Sequence, residues 1–278
     1  MKVKIVSIEC GLGNQMFQYA FYLSLKQHLD NCVYYLVAPN ISHNGYELEK
    51  VFNIKNSKPK NLFIRAFKKI LKRKIDKKYE TNFGNYDPEF IFSNKVIAYY
   101  CGYWQTERYF QNIIDEVKKS FRFKDPKISI KNKLFLDKIK SFDSVSIHVR
   151  RGDYESHEGS KKLLGGMCNL DYYKRAIEEI NKYTSNKPYF VVFSDDILWA
   201  KNNLKLSSSI YVDWNTGENS WQDMFLMTKC KHNIIANSTF SWWGAWLNSN
   251  PNQKVIYPQR WYNKLETRDI APENWIKI

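Results

Sequence analysis

The stretch that decides the fold class is residues 144–154, SVSIHVRRGDY, in which an apolar run ends in two adjacent arginines. The run has the length and composition of a buried strand. Ligands of open α/β sheets bind beyond the carboxyl ends of the strands, which is where Arg150 and Arg151 stand. Because neighbouring strand residues point to opposite faces, we expect one guanidinium to meet an anionic ligand. The alternative is a local ion pair with a carboxylate such as Asp153.

Short apolar runs alternate with helical patterns along the rest of the chain, which predicts parallel sheets built from βαβ units. The charged, weakly periodic stretch 121–140 predicts a domain junction. We therefore expect two Rossmann-like domains facing each other across a cleft, formed by residues 1–140 and 141–278. The predicted strands are 3–8, 32–37, 96–100, 144–149, 189–193, 210–212, 233–236 and 255–257, and the predicted helices are 14–29, 107–120, 170–183, 221–229 and 240–247.

Composition narrows the class of protein. The chain has 278 residues, of which 44% are hydrophobic, as in globular proteins and unlike disordered ones. A net charge of +15 predicts an anionic partner, either a nucleotide, a nucleic acid or an acidic membrane surface. Five cysteines without a Cys-x-x-Cys pair predict neither a zinc site nor a disulfide framework. With no pattern of a signal peptide or membrane anchor, we expect a cytoplasmic protein.

A basic insert at about residues 55–80 stands apart from the rest of the chain. Its part 59–80 reads PKNLFIRAFKKILKRKIDKKYE, and Phe63, Phe67 and Ile70 can share one helix face among lysines. Such a helix can lie on the anionic inner face of a membrane, or it can be an ordinary surface helix. No nucleic-acid-binding motif is present, so we expect no nucleic-acid partner.

The first loop that could bind a ligand is CGLGNQMFQYA, residues 10–20. Gly11 and Gly13 allow a tight turn at a helix start, as in half of a dinucleotide fingerprint. Met16 stands where the third glycine would be, so a dinucleotide site is not expected. Asn14 and Gln15 at the helix start favour a polar ligand such as a sugar, and the alternative is a turn without a ligand.

Two further loops follow predicted strands. In YFVVFSDD, residues 189–196, Ser194, Asp195 and Asp196 could bind a divalent metal, accept hydrogen bonds from a base or ribose, or cap the next helix. The second loop opens a helix with hydroxyl groups, which with free N–H groups bind phosphate, although plain capping is the alternative. Its candidate residues are Asn237, Ser238, Thr239, Phe240 and Ser241.

Together these loops resemble one family, the bacterial α-1,2-fucosyltransferases of glycosyltransferase family 11. The central strings also resemble the wider fucosyltransferase superfamily. The strings that carry the resemblance are GLGNQMFQYA (11–20), GYWQTERYF (102–110), HVRRGDY (148–154), FSDD (193–196) and CKHNIIANSTFSWWGAWL (230–247).

The resemblance implies a GT-B-like fold, with residues 1–140 on the acceptor side and 141–278 binding the donor. It implies inverting transfer of L-fucose from GDP-β-L-fucose to the 2-OH of a terminal β-galactose on an oligosaccharide or lipid-linked glycan. No metal and no cofactor are implied. Arg150 matches the arginine that contacts the donor pyrophosphate, and the Ser-Asp-Asp string would bind guanosine.

The general base stays open among Asp153, Glu158, His148 and His157. Related α-1,6 enzymes place a glutamate eight residues after the first arginine, the offset of Glu158 from Arg150. Two other functions also stay open. One is a GT-B glycosyltransferase with another nucleotide sugar or acceptor linkage, and the more remote one is a non-catalytic, basic membrane- or nucleic-acid-binding protein.

Overall fold

A computed structural model describes residues 2–28, 32–38, 44–54, 75–91, 96–184 and 187–278. The chain forms two compact units, residues 1–124 with 268–271 and residues 125–267 with 272–278. The boundary lies before the expected one at residue 140, because the helix Ile130–Ser141 belongs to the second unit. Asn132 on that helix is buried, and its Nδ2 donates to Asn215 Oδ1 at 2.8 Å.

The first unit is built on a four-stranded sheet in the order β2-β1-β4-β3, with every strand pair parallel. Its inner strands β1 and β4 carry buried apolar side chains, as parallel sheets covered on both faces require. The strands are β1 Lys2–Ser7, β2 Cys32–Val37, β3 Ile75–Tyr79 and β4 Ile97–Cys101, and the helices are α1 Leu12–His28, α2 Leu48–Val51 and α3 Ile114–Ser120.

The second unit holds a six-stranded parallel sheet in the order β10-β9-β8-β5-β6-β7. Strand β5 is buried along its whole length between β6 and β8. The strands are β5 Ser144–Val149, β6 Tyr189–Ser194, β7 Ser209–Val212, β8 His232–Ile234, β9 Val255–Tyr257 and β10 Ile276–Lys277. The helices are α4 Ile130–Ser141, α5 Gly152–Ser156, α6 Glu158–Leu164, α7 Leu170–Ile180, α8 Ile197–Asn203, α9 Trp221–Met227 and α10 Thr239–Trp246.

The core of the second unit lies where α7 covers the sheet. Tyr172, Tyr173, Ala176 and Ile180 recur at helical spacing and are buried against apolar strand residues such as Ile147. Tyr173 also finds a buried acceptor, since its OH donates to the backbone oxygen of His148 in β5 at 3.0 Å. The packing therefore holds the carboxyl end of β5 in place, which is the end that precedes the two arginines.

All eight predicted strands are present, with ends that differ from the prediction by at most two residues. Strands β3 and β10 and helices α2, α4, α5, α6 and α8 were not predicted. The predicted helix 107–120 begins with two 3-10 turns, Glu107–Tyr109 and Gln111–Ile113, before α3. Most of the basic insert, residues 55–74, lies outside the described residues. In the described part of the chain, no helix has the length and apolar character needed to cross a membrane.

Candidate active site

The order of the second sheet identifies where a ligand would bind. From β5 the chain moves outward to β6 and then β7, and it returns to the other side of β5 as β8. The point where the direction reverses lies between β5 and β8, and α/β sheets bind ligands beyond the strand carboxyl ends at such a point. The residues that follow the three adjacent strands are Arg150, Asp195 and the segment 235–238.

Arg150 is held at this edge by two carboxylates. Its Nη2 lies 2.6 Å from Asp153 Oδ1, and its Nη1 lies 2.9 Å from Asp195 Oδ2. The guanidinium carbon stands 5.3 Å from the ring centre of Tyr154. About a quarter of the side chain, 25%, stays exposed. The group is thus fixed in orientation and still reachable from solvent, and its contact with a pyrophosphate stays a prediction.

Arg151 has different neighbours, which give it a bracing role. Its Nε lies 3.3 Å from Asp196 Oδ2 and its Nη1 lies 3.4 Å from Glu155 Oε1. Its guanidinium carbon is 4.3 Å from the centre of the Trp199 ring. These contacts tie α5 to the start of α8.

The Ser-Asp-Asp string is engaged within the protein. Asp195 Oδ1 accepts from the backbone N–H of Arg151 at 2.8 Å. Asp196 caps α8, since its Oδ1 accepts from Trp199 N at 3.1 Å, and Ser194 Oγ accepts from Asp196 N at 2.9 Å. No group of three His, Cys, Asp or Glu side chains in the described ranges is placed to hold a metal ion. Transfer without a metal stays a prediction.

Gly152 permits the close approach of the loop to Asp195. A Cβ atom at this position would stand 2.6 Å from Asp195 Oδ2. Two residues later, Tyr154 OH donates to the backbone oxygen of Asn237 at 3.1 Å. Burial raises the pKa of Tyr154, so its hydroxyl stays protonated and able to donate. This bond joins the loop after β5 to the loop after β8.

The loop after β8 leaves the start of α10 without a side-chain cap. Ser238, at the N-cap position, makes no capping hydrogen bond through its side chain. The N–H groups of the first helical turn, from Thr239 to Ser241, therefore lack the usual capping oxygen. Thr239 and Phe240 are half-buried. An uncapped helix start is suited to an anionic group.

Two residues predicted to contact the ligand in this loop are instead committed to the fold. Asn237 Nδ2 donates to the backbone oxygens of Leu164 and Trp261, at 3.0 and 3.1 Å. Ser241 is fully buried, and its Oγ donates to the backbone oxygen of Ser238 at 3.2 Å. Their side chains shape the loop, because buried polar groups are held where their partners are.

His148 lies beneath the loop and is buried, with 7% of its surface exposed. Burial is the main cause that lowers its pKa to about 4, and Arg150 lowers it further while Asp195 opposes the shift. Its ring centre is 5.8 Å from that of Phe240. A weakly basic, enclosed imidazole is poorly suited to take a proton from an acceptor hydroxyl. The placement argues against the predicted role of His148 as the base.

The carboxylates proposed as bases differ in their freedom. Asp153 is paired with Arg150, whereas Glu158 is exposed in the first turn of α6 and forms no ion pair or hydrogen bond with the rest of the described chain. His157 caps α6, because its Nδ1 accepts from Ser160 N at 3.2 Å. Glu158 is thus the candidate best able to approach a substrate.

In the first unit, Gln15 is part of the core and not of a ligand site. It is fully buried, its Nε2 donates to the backbone oxygens of Cys10 and Gly45, and its Oε1 accepts from Glu47 N. The predicted sugar contact of Gln15 is therefore replaced by a structural role. Asn14 is half-buried, and its Oδ1 accepts from Gln105 Nε2 at 2.9 Å.

Sequence reasoning missed the aromatic supports of the two arginines. Tyr154 lies under Arg150 and Trp199 lies beside Arg151. The signal was available for Tyr154, which follows Arg150 by four residues and lies in the short helix α5. No signal pointed to Trp199, because its position depends on how the next strand and helix are placed.

Comparison with known proteins gives the same assignment along the whole chain. The model of glycosyl transferase family 11 matches residues 2–278. An alpha-1,2-colitosyltransferase of Escherichia coli is 35% identical over 100% of this chain and 99% of its own length. The O-antigen biosynthesis glycosyltransferase WbnK of Escherichia coli is 33% identical over 96% and 98%. Galactoside alpha-(1,2)-fucosyltransferase 1 of Ateles belzebuth is 32% identical over 37% of this chain and 28% of its own.

A solved structure supports the fold. The alpha-1,6-fucosyltransferase NodZ, soaked with GDP-fucose, superimposes with a TM-score of 0.52 at 14% identity, covering 88% of this chain and 92% of NodZ. This likeness confirms the predicted GT-B-like fold, with its parallel α/β sheets. The match of the family model and the two full-length relatives show that the protein is a glycosyltransferase and belongs to glycosyl transferase family 11.

Proposed function

We propose that the protein is a galactoside α-1,2-fucosyltransferase, which transfers L-fucose from GDP-β-L-fucose to the 2-OH of a terminal β-galactose with inversion. The observation that carries the proposal is that Arg150 and the uncapped start of α10 follow β5 and β8, the two strands that flank the switch point of the second sheet. A guanidinium and free N–H groups at one edge suit a diphosphate.

The chemistry places its largest demand on the leaving group. As the bond between fucose and phosphate breaks, positive charge grows on the sugar and negative charge grows on GDP. Arg150 stabilises that negative charge, and the first-turn N–H groups of α10 share it. Asp195 and Asp153 hold the guanidinium before the donor arrives, so little reorganisation is needed during the reaction.

The remaining predicted contacts are assigned by position. The loop of Ser194, Asp195 and Asp196 lies beside that of Arg150, where it would border the guanosine. Inversion requires the acceptor hydroxyl on the face of fucose opposite to GDP, with a base that removes its proton. Glu158 is the residue proposed for this step, with Asp153 as the alternative. No metal and no further cofactor take part in this scheme.

Colitose is a second candidate for the transferred sugar. The observation in its favour is the full-length likeness to an alpha-1,2-colitosyltransferase. Colitose is L-fucose without its 3-hydroxyl, and a site built to hydrogen-bond that hydroxyl rejects the sugar that lacks it. A comparison of the two donors therefore separates the two functions. A different nucleotide sugar or linkage on the same fold would appear in the same comparison.

The deciding experiment is an assay of the purified full-length chain with β-galactoside acceptors and GDP-β-L-fucose, GDP-colitose, GDP-mannose or a UDP-sugar. Products are identified by mass spectrometry, and their linkage and anomeric configuration by NMR. We expect α-1,2-linked fucose, formed equally well in excess EDTA. Absence of any fucosylated product and of GDP-fucose hydrolysis would overturn the proposal. Loss of activity in EDTA would overturn the part that excludes a metal.

We further propose that the enzyme works in the cytoplasm, on the inner face of a membrane where lipid-linked glycans are assembled. The basic insert at about 55–80 supports this location, since its sequence combines apolar residues with a cluster of lysines. The acceptor would then be a galactose-terminated glycan held near that surface.

A further inference from the structure

The first unit has a switch point of its own. From β1 the chain moves to β2 on one side, and β4 pairs with the other side of β1. The point where the direction reverses therefore lies between β1 and β4, the place where open α/β sheets accept ligands. Glu9 follows β1 by two residues, and Tyr103 follows β4 by two residues. The two loops thus stand side by side at the carboxyl ends of paired strands.

Buried side chains fix both loops. Gln18, with 1% of its surface exposed, accepts from Glu9 N at 2.8 Å and donates to the backbone oxygen of Gly102 at 2.9 Å. Glu80, with 6% exposed, accepts through Oε2 from the N–H groups of Tyr103 and Trp104, at 2.5 and 3.0 Å. A glutamine that joins the two loops and a carboxylate that holds one of them make their geometry rigid.

The backbone at this place is strained. The described part of the chain has two residues other than glycine with positive φ, Cys10 at 63° and Trp104 at 55°. Both lie in these two loops, each next to one of the two polar residues Glu9 and Tyr103. Such strain persists only where the surroundings impose it, and it concentrates at ligand sites.

The polar groups have capacity left for a ligand. Glu9 Oε1 accepts from Ser7 Oγ at 2.6 Å and from Cys101 Sγ at 3.8 Å. Within the described ranges, the second oxygen of Glu9 has no hydrogen-bond partner, and the side chain is half-buried. Among the residues that the structure describes, the only partner of Tyr103 OH is the thiol of Cys10, at 3.7 Å, and the Tyr103 ring centre is 5.6 Å from that of Phe83.

We infer that the Glu9 carboxylate and the Tyr103 hydroxyl bind hydroxyl groups of the acceptor sugar. The inference rests on the proposed function, because it identifies the sugar as the β-galactoside that receives fucose. A carboxylate accepts hydrogen bonds from sugar hydroxyls, a phenol donates and accepts them, and the rings of Tyr103 and Phe83 offer an apolar edge to C–H groups. A carboxylate would repel a diphosphate, so the neutral sugar and not the nucleotide is the fitting ligand.

The test uses the full-length protein saturated with GDP. Lactose is titrated into it, and the NMR signals of the sugar report the lactose Kd. The variants are Glu9→Gln, which keeps the shape and the bond from Ser7, and Tyr103→Phe, which keeps the ring and both backbone bonds to Glu80. We expect each variant to raise the lactose Kd about 10-fold, as loss of one good hydrogen bond does. The GDP Kd of both variants, measured by calorimetry, should stay unchanged. A Glu89→Gln control should bind both lactose and GDP as the wild type does.

The outcomes separate this inference from the proposed function. In one outcome, the wild-type protein binds lactose, the variants do not, and no protein transfers fucose. The acceptor site is then supported, and the proposed donor is wrong. If both variants bind lactose as the wild type does, or if the wild type does not bind it, the acceptor site is wrong. A rise in the GDP Kd with unchanged lactose binding would also overturn it, because the pair would then serve the donor.

Discussion

At the scale of single residues, Arg150 is the side chain on which the proposed reaction depends most. We predict that Arg150→Lys lowers kcat/KM for GDP-fucose about 100-fold, or roughly 3 kcal/mol, although the charge is kept. Lysine cannot reproduce the planar fork that reaches Asp153, Asp195 and a phosphate at once. Initial rates of transfer at varied GDP-fucose concentration measure the effect.

The matched control for this change is Arg175→Lys. Arg175 also pairs with an aspartate of its own segment, at 2.9 Å from Asp171, but it stands exposed on α7. An exposed pair of this kind contributes little, so activity and stability should stay close to those of the wild type. Equal rates for Arg150→Lys and Arg175→Lys would remove Arg150 from the catalytic role.

Glu80 leads to a prediction about stability and pH. Burial raises the pKa of its carboxyl from 4.5 to about 7, while the N–H groups of Tyr103 and Trp104 act in the opposite direction. Between these two pH values the folded protein holds a proton that the unfolded chain has released. Raising the pH through this window therefore lowers the free energy of unfolding, on the order of 1 kcal/mol per pH unit.

The measurement is urea unfolding of the wild type and of Glu80→Gln from pH 4.5 to 8. The glutamine keeps an oxygen for the two N–H groups but cannot ionise. We expect the variant to gain stability relative to the wild type as the pH rises from 4.5 to about 7, and no further gain above it. Asp223, whose pKa burial also raises to about 7, is present in both proteins and cancels in the difference. Parallel curves would show that Glu80 titrates normally.

Single residues also show what sequence reasoning could not reach. The string HVRRGDY was enough to nominate Arg150, because charge at the end of a strand has a chemical meaning without a structure. Gln15 was nominated on similar grounds and is buried, with three hydrogen bonds that involve Cys10, Gly45 and Glu47. Two of those partners, Gly45 and Glu47, lie 30 and 32 residues away along the chain, and periodicity carries no information about such contacts.

At the scale of elements, the apolar content of a strand or helix decided whether it could be predicted from the sequence. Strands such as β5 and β6 are continuous apolar runs, because both faces of a parallel sheet are covered. Strand β3, IDKKY, lies at the sheet edge and is mostly polar, so it gives no such signal. Helix α4 was interpreted as a junction because lysines mask its stripe of Asn132, Phe135 and Ile139. An asparagine on the buried face also weakens the apolar pattern.

The turn from β5 into α5 leads to a prediction for Gly152. An added Cβ would stand 2.6 Å from Asp195 Oδ2, so Gly152→Ala must displace that carboxylate. The displacement breaks its contact with Arg150 Nη1 and leaves the guanidinium less well oriented. We expect the GDP Kd to rise about 10-fold while the protein stays folded, as observed by calorimetry and circular dichroism.

Gly159→Ala is the control for this change. Gly159 lies within α6, where a Cβ would stand 3.2 Å from the exposed ring of His157, which can move aside. Alanine in a helix is favoured over glycine, but a shift of His157 weakens its hydrogen bond to Ser160 N, so the stability should change little and GDP should bind normally. If both alanine variants bind GDP equally well, the close approach of Gly152 to Asp195 has no part in donor binding.

At the scale of the whole molecule, the two units repeat one principle with different chemistry. Each has a parallel sheet whose strand order reverses once, and each places its polar loops at the carboxyl ends beside that point. In the second unit the loops present Arg150 and an uncapped helix, which suit an anion. In the first unit they present Glu9 and Tyr103, which suit a neutral, hydroxyl-rich ligand. A transferase needs a site of each kind, one for the nucleotide and one for the acceptor.

The net charge of +15 leads to the last prediction, which concerns where the enzyme works. We expect the protein to sediment with vesicles that contain anionic lipid and not with neutral ones, and binding should weaken as salt rises. If the basic insert makes the contact, changing Lys68, Lys69, Lys72 and Arg73 to glutamine should weaken binding by about 1 kcal/mol per residue. Transfer to soluble lactose should be unaffected, because none of these residues belongs to the proposed sites.

A variant with the same change in net charge tests whether location or total charge matters. Lys174, Lys182, Lys201 and Lys205 are exposed in the second unit, and their exchange for glutamine removes four positive charges elsewhere. Binding that depends on the insert survives this change, whereas binding through overall charge falls equally in both variants. The second result would reject membrane docking by the insert. The net charge of +15, and not a defined segment, would then bring the enzyme to its acceptor.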